Sequence, residues 1–468
     1  MLKRITIVII LLTLIISPPI IMGSQNENAG KQAESEGDYR RAAENYELAA
    51  SRLPWRGDLW EAVGLMRSNI GEKEEAINAL EISKQENALS NTGWDLLGML
   101  LWERDRHEDA FVIWQEGVQK CPEHLVFYNR LALYYREIGN WAAEKDAIER
   151  WFSDRQAQGD FAHLHYRLGL LLMLDSPEEA LDELLLAARL DGEFAPVVET
   201  LRTSLNLASL ESDSAEKQIL LGRGLALVGE WRLAAEIFTN ATHAHAESAS
   251  AWAWLGEAKQ HIDENPLPDL DKAINLDPNS ILVRSLRSLY WRRQGNFEKA
   301  LQDIKIVISL EPENAHWQSA LGEVYALAGD LPPALAAYEK AISLEPENPL
   351  YRYLLSLFSV QYTVQLADVG LPAAQKALEL SPENALYTDT LGWVYLELGQ
   401  DESAESAFLR ALELDPELAS AYLHLGHFYL KHSHKELAYQ ALVQARDLSQ
   451  EAFVKEQALR LLDAYFQE

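Results

Sequence analysis

Twelve histidines and one cysteine carry the ligand and nucleophile chemistry of this chain. His424 and His427 stand three apart, one helical turn, so both imidazoles fall on one helix face. Such a pair is half of a zinc site when another ligand converges on it. His432 and His434 follow, but they fall in a predicted turn, and the sequence supplies no further ligand. His243 and His245, two apart, would point away from each other on a helix. Cys121 precedes Pro122 and has no second cysteine with which to form an intramolecular disulfide; it reads as an inert structural position. No glycine-rich phosphate loop, serine nucleophile motif or metalloprotease helix motif occurs. Carboxylates are abundant but periodic, as in LEPEN at 310–314 and again at 344–348. Glu313 and Glu347 precede helix starts, where negative charge is favoured. The expectation is a non-catalytic chain with no cofactor and no bound metal.

The periodicity of the acids belongs to a larger one. Ala315–Asn348 is a unit of thirty-four residues, and from Ala215 onward the chain is built almost wholly of approximate copies. Leu321, Gly322 and Tyr325 sit on one predicted helix, and Ala334, Tyr338 and Ala341 on a second. Glycine at the eighth position and alanine at the twentieth and twenty-seventh let two antiparallel helices approach closely. Gly329 can take the left-handed conformation that ends the first helix, and Asp330 can cap the second. Pro332 and Pro333 fall in a first helical turn, where backbone N–H groups have no intrahelical acceptor. Asn348 followed by Pro349 reads as the cap and first residue of the next unit.

This pattern resembles the tetratricopeptide repeat, a helix–turn–helix family. The resemblance covers nearly everything after Gly30, in roughly twelve full or partial units. It implies an all-α fold, a right-handed superhelical solenoid of antiparallel helix hairpins. After a polar spacer at Gln25–Gly30, the first unit is visible mainly through Tyr46 and its neighbours. Units with Val63 and Gly64, with Trp94 and Gly98, and with Leu131 and Ala132 follow in one register. Between Gln156 and Ser214 the register slips, and Phe194–Leu207 reads as helical without the complete signature. The unit Pro349–Asn384 is longer and irregular, Ala385–Leu418 is a clear match, and a last helix covers the final repeat. The expected organisation is a leader or anchor at 1–23, a first array at 24–160, an irregular junction at 161–214, a second array at 215–452 and a capping helix at 453–468.

Lys3 and Arg4 precede the apolar run Ile5–Ile16, and Ile20–Met22 follow Pro18 and Pro19. A basic start and such a run fit a secretory signal peptide. Counted through Met22, the stretch is also long enough to serve as an uncleaved membrane anchor. Either version places the repeats outside the cytoplasm, secreted or periplasmic or tethered by residues 5–22, with membrane contact only through that segment. A formal net charge of −31 opposes nucleic-acid binding and permits a basic protein partner.

In the family that this chain resembles, the first helix of each hairpin lines a concave groove. Its second, fifth, ninth and twelfth positions map to Met99, Trp102, Leu133, Arg136, Tyr166 and Leu170 in the first array. In the second array they map to Tyr353, Leu357, Trp393, Leu396 and His427, with the more polar Glu257, Ser319 and Glu323 between. The implied function is a protein–protein interaction scaffold that binds extended peptides or partner helices, with a cell-envelope assembly as a setting. The alternative is an accessory subunit that binds carbohydrate or lipid through groove aromatics. The partner's identity is not encoded in these residues, and an uncapped amino-terminal helix face leaves self-association open.

Overall fold

The computed structural model describes the backbone of residues 2–153, 161–449 and 451–466, and their side chains except for 2–17 and 153. Among these residues there are 26 α-helices and no strand, so the expected all-α solenoid of helix hairpins is what forms. The chain separates into two compact units, Met1–Ser212 with Leu220–Glu236, and Asp213–Ile219 with Ile237–Glu468. In the first unit the successive hairpins are Leu2–Ser35 with Tyr39–Arg52, Asp58–Asn69 with Lys73–Gln85, Asn91–Trp102 with His107–Lys120, Val126–Glu137 with Trp141–Ser153, and Ala162–Leu172 with Pro177–Leu190. In the second they are Ala249–Gln260 with Leu267–Leu276, Ile281–Arg293 with Phe297–Leu310, Ala315–Leu327 with Leu331–Leu344, Pro349–Gln361 with Leu371–Leu380, Ala385–Glu397 with Asp401–Leu414, and Ala419–Lys431 with Lys435–Leu448.

Most hairpins close by the same contact, although Val126–Glu137, Ile281–Arg293 and Pro349–Gln361 carry Ala132, Ser288 and Ser356 at the equivalent position. A glycine on the first helix lies under a large side chain sixteen residues on, at Gly64 and Leu80, Gly98 and Trp114, Gly322 and Tyr338, Gly392 and Phe408, and Gly426 and Leu442. A Cβ placed on Gly98 would stand 2.1 Å from Trp114 Nε1, and one on Gly426 would stand 2.5 Å from Leu442 Cδ2. Both distances are far inside van der Waals contact, so the helix spacing admits no side chain at these positions. Small residues on the facing helix complete the approach: Ala110, Ala334, Ala341, Ala404, Ala411 and Ala438 are wholly buried.

The turns and caps follow local rules. Gly329 has φ +81° and Gly399 φ +71°, the left-handed geometry expected of a residue ending the first helix. The same turn position holds Asp105 (φ 58°) and Ser433 (φ 60°), which adopt it with a side chain attached. Asn348 and Asn384 cap their helices, accepting from Leu350 N at 3.1 Å and Tyr387 N at 3.0 Å. Asp330 occupies a cap position, but its side chain makes no capping bond; Pro332 and Pro333 in the first turn remove two of the donors it would have served.

Three features depart from the regular repeat, of which only the first is not expected from the sequence. Gln25–Gly30 is no spacer: it lies inside the helix Leu2–Ser35, and Gly30 packs on the Tyr46 ring as other first-helix glycines do on theirs. In the long unit, the excess residues are absorbed by left-handed Thr363 and Gln365 and a π-helical turn at Leu366–Gly370. In the slipped region the helix Ala195–Leu210 follows Pro177–Leu190, and Gly224 of the next helix, Ser214–Leu227, fits against its Ser204. At the other end, Ala452–Phe466 buries Val454, Ala458 and Leu462 against Leu423, Leu442 and Ala445, as a capping helix must. Among the described residues no helix is long and apolar enough to cross a membrane; the side chains of Ile5–Ile16, on which the leader or anchor reading depends, lie outside those described.

Replacing Gly98 by alanine is expected to destabilise the first unit by about 1–3 kcal/mol through overpacking against Trp114. Ser433→Gly, which relieves a side chain in a left-handed turn, is expected to stabilise the second by up to about 1 kcal/mol. Urea unfolding read by hydrogen exchange in the two affected hairpins checks both; an unchanged Gly98→Ala protein would show that the crossing is looser than the structure has it.

Candidate protein-interaction groove

The first helices of the second unit form two hollows. One, of about 930 Å³, is walled by Leu289, Trp317, Leu350, Leu354 and Leu357, with Arg292 and Glu323 paired across it. Its aromatic wall is held in place, because Trp317 Nε1 donates to Glu311 at 2.7 Å. Glu311 Oε2 also accepts from Asn314 at 2.9 Å, and these two bonds hold the carboxyl below the usual range.

The second hollow, of about 560 Å³, lies between Trp393, Leu396, Leu423, His427 and Phe453, with Glu397, Lys431 and Gln457 at its edge. A buried carboxylate organises it. Asp389 is 1% exposed and accepts from Ser420 Oγ and from His424 Nδ1, each at 2.8 Å. That bond lays the His424 ring against Trp393, with centroids 4.7 Å apart and planes 29° apart. His427 faces the hollow, and desolvation by the surrounding wall, followed by the charge of nearby His424, lowers its pKa from the ordinary 6.5. The zinc reading of this pair gains no further ligand: among the described residues no group of three or more His, Cys, Asp or Glu is placed to hold a metal ion.

Of the residues mapped to a groove, Leu357 thus lines the first hollow, and Trp393, Leu396 and His427 line the second. Tyr353 stacks on Tyr387 at 4.9 Å, and burial pushes its pKa up to about 12. The first unit brings its candidates together less. Trp102 is stacked on His107 at 4.1 Å and packed toward Trp114, so its faces serve the hairpin. The Met99 sulfur receives Arg130 at 2.9 Å. Arg136 is committed to buried Glu144 at 2.7 Å, which also takes Arg167. Tyr166 stacks on Phe194, and burial raises its pKa to about 12. Leu133 is 37% exposed, whereas Leu170 is fully buried and offers no surface to a partner. Cys121 is half-buried, and desolvation pushes its thiol up, as an inert position requires.

The sequence mapping missed Phe453 and Gln457, because the capping helix lacks the repeat signature yet sits where another first helix would. It also passed over Leu350, at the second position of its helix, and Asp389, at the fifth. The periodic rule included both positions; the burial that makes Asp389 an organiser is a property of the fold.

Family models match two stretches of the chain, one described as tetratricopeptide repeat over residues 289–352 and one as TPR repeat over residues 392–433. Comparison with curated proteins finds no match. Among solved structures, the chain is similar to the APC/C hetero-tetramer Cut9-Hcn1, with 16% identity over 96% of this chain and 99% of that one and a TM-score of 0.43. It is similar to yeast Tom70, with 15% identity over 94% and 95% and a TM-score of 0.44. A tetratricopeptide repeat protein from Parabacteroides merdae is 17% identical over 53% of this chain and 98% of that one, with a TM-score of 0.45.

The lowered pKa of His427 has a definite sign. A base held neutral in the fold costs stability as pH falls through its unfolded value, near 6.5, and the loss levels off below its folded value. The His427 ring is expected to titrate below 6.5 by NMR, and His427→Gln is expected to flatten the acid limb of the stability profile. A midpoint at or above the ordinary value would contradict the crowded setting of this ring.

Proposed function

We propose that this chain, a tetratricopeptide-repeat protein and an interaction scaffold, holds an extended segment or helix of a partner protein along the first helices of its second unit. The observation that carries this is the pair of apolar hollows around Trp317 and Trp393. Both are set by side chains already fixed from behind by Glu311 and by Asp389 through His424, so a ligand entering them meets a pre-formed surface. The family is generally non-catalytic, and the His424–Asp389 pair is accounted for by positioning Trp393.

The setting we propose is outside the cytoplasm, on the strength of the basic residues and apolar run that precede Gly23. That run lies within the helix Leu2–Ser35, which also supplies the first helix of the first hairpin, so a retained segment would tether the first repeat closely. The second reading, carbohydrate or lipid binding through groove aromatics, has less support. Trp102, Tyr353 and Trp393 each already have a ring face against His107, Tyr387 and His424.

The test is capture from envelope extract of the native organism by the full chain and by a Leu357→Ala, Phe453→Ala variant. Phe453 is 64% exposed, but Leu357 also packs on the cluster around Val360 and Leu391, so circular dichroism and thermal unfolding of the variant must match those of the parent chain. Loss of a retained protein from the variant is the expected result. Retention of the same proteins by both would move the interaction to another face of the solenoid. Fractionation of the native membrane, with the protein recovered in the cytosol, would sink the proposed location.

A further inference from the structure

The chemistry of the two hollows restricts what they can receive. Their cations are already spent: Arg292 is paired with Glu323, and Lys431 with Asp401 at 2.8 Å. A partner's carboxylate, phosphate or acidic side chain would therefore have to compete with Glu323 or Asp401 for its counter-charge. The free charge has the other sign. Glu397 is exposed at the edge of the second hollow beside Trp393 and makes no hydrogen bond or ion pair among the described residues. The second unit as a whole, Asp213–Ile219 with Ile237–Glu468, contains 35 Asp and Glu against 18 Lys and Arg. A field of that sign attracts cationic segments and raises their rate of encounter.

From this complementarity we infer that the second unit binds a basic protein segment whose apolar side chains fill the hollows and whose flanking lysines or arginines face Glu397 and the acidic surface. The inference rests on the scaffold reading and names its partner's chemistry. Apolar anchors supply affinity in the two hollows; the basic flanks supply selectivity and speed of association.

The experiment uses the full chain and four fluorescein-labelled synthetic peptides, read by anisotropy. Three share the same tryptophan and leucine positions and are flanked by lysine and arginine, by serine, or by glutamate. The fourth keeps the basic flanks and replaces every apolar residue by serine. The basic, apolar peptide is expected to bind at least about tenfold tighter than its glutamate counterpart at low salt, and that gap should shrink at high salt as screening sets in. Glu397→Lys should narrow the same gap, and Phe453→Ala should weaken binding about fivefold or more. Equal binding of the glutamate and basic peptides, abolished by Phe453→Ala, would overturn the basic-partner inference and leave the groove reading intact. Equal binding of the basic peptide lacking apolar residues would overturn it from the other side, reducing the effect to unspecific charge attraction. Binding by none of the four would remove both readings for this unit.

Discussion

The structure depends on two helices coming closer than a side chain allows. Gly98 beneath Trp114 and Gly392 beneath Phe408 set the spacing within a hairpin, and the spacing then determines which residues face the next hairpin. An isolated hairpin of this length buries too little surface to stand alone, so each must hand its second face to a neighbour. Trp94, Leu97 and Trp114 of one hairpin accordingly share a cluster with Ile77 and Leu80 before and Phe127 and Leu131 after. The crossing is local in sequence, sixteen residues from glycine to ring, which is why one short motif can be repeated many times without long-range instruction.

That constraint divides the charges as well. Residues at the hairpin turns meet their counterparts one repeat away, as Lys73 meets Glu103 and Lys431 meets Asp401. Pairs this exposed contribute at most about 1 kcal/mol each and weaken with salt. The buried charges behave differently. Glu144 is fully buried and is satisfied by Arg136 and Arg167 together, and removing one partner would strand the carboxylate away from water. Arg136, a candidate for partner contact by position, thus also holds this buried carboxylate while its own side chain stays 42% exposed.

The repeat pattern made the helices, their crossings and their glycine turns legible, because each rests on contacts within thirty-four residues. Gly329 at φ +81° and Asn348 as a cap follow from residue type alone. What the pattern could not convey was occupancy. Leu170 and Leu357 belong to the same mapped face, yet the first is fully buried and the second opens on a hollow, and the difference lies in neighbouring helices. The helical stretch at Gln25–Gly30 was hidden for another reason: within residues 23–35 the packing residues, Gly23, Gly30 and Ala33, are small and nearly all the others are polar, so its apolar periodicity is faint.

Irregularity is where the second unit's groove acquires its character. The π-helical turn at Leu366–Gly370 absorbs extra residues behind the first helix Pro349–Gln361, and Leu354 and Leu357 remain on the hollow's wall. The capping helix breaks the motif but keeps the position, so Phe453 and Gln457 close the second hollow from the side where another first helix would stand. A regular array would continue its groove past that point. Here the groove meets an exposed aromatic ring, Phe453, so the proposed partner segment would meet a fixed stop instead of a surface along which it could slide.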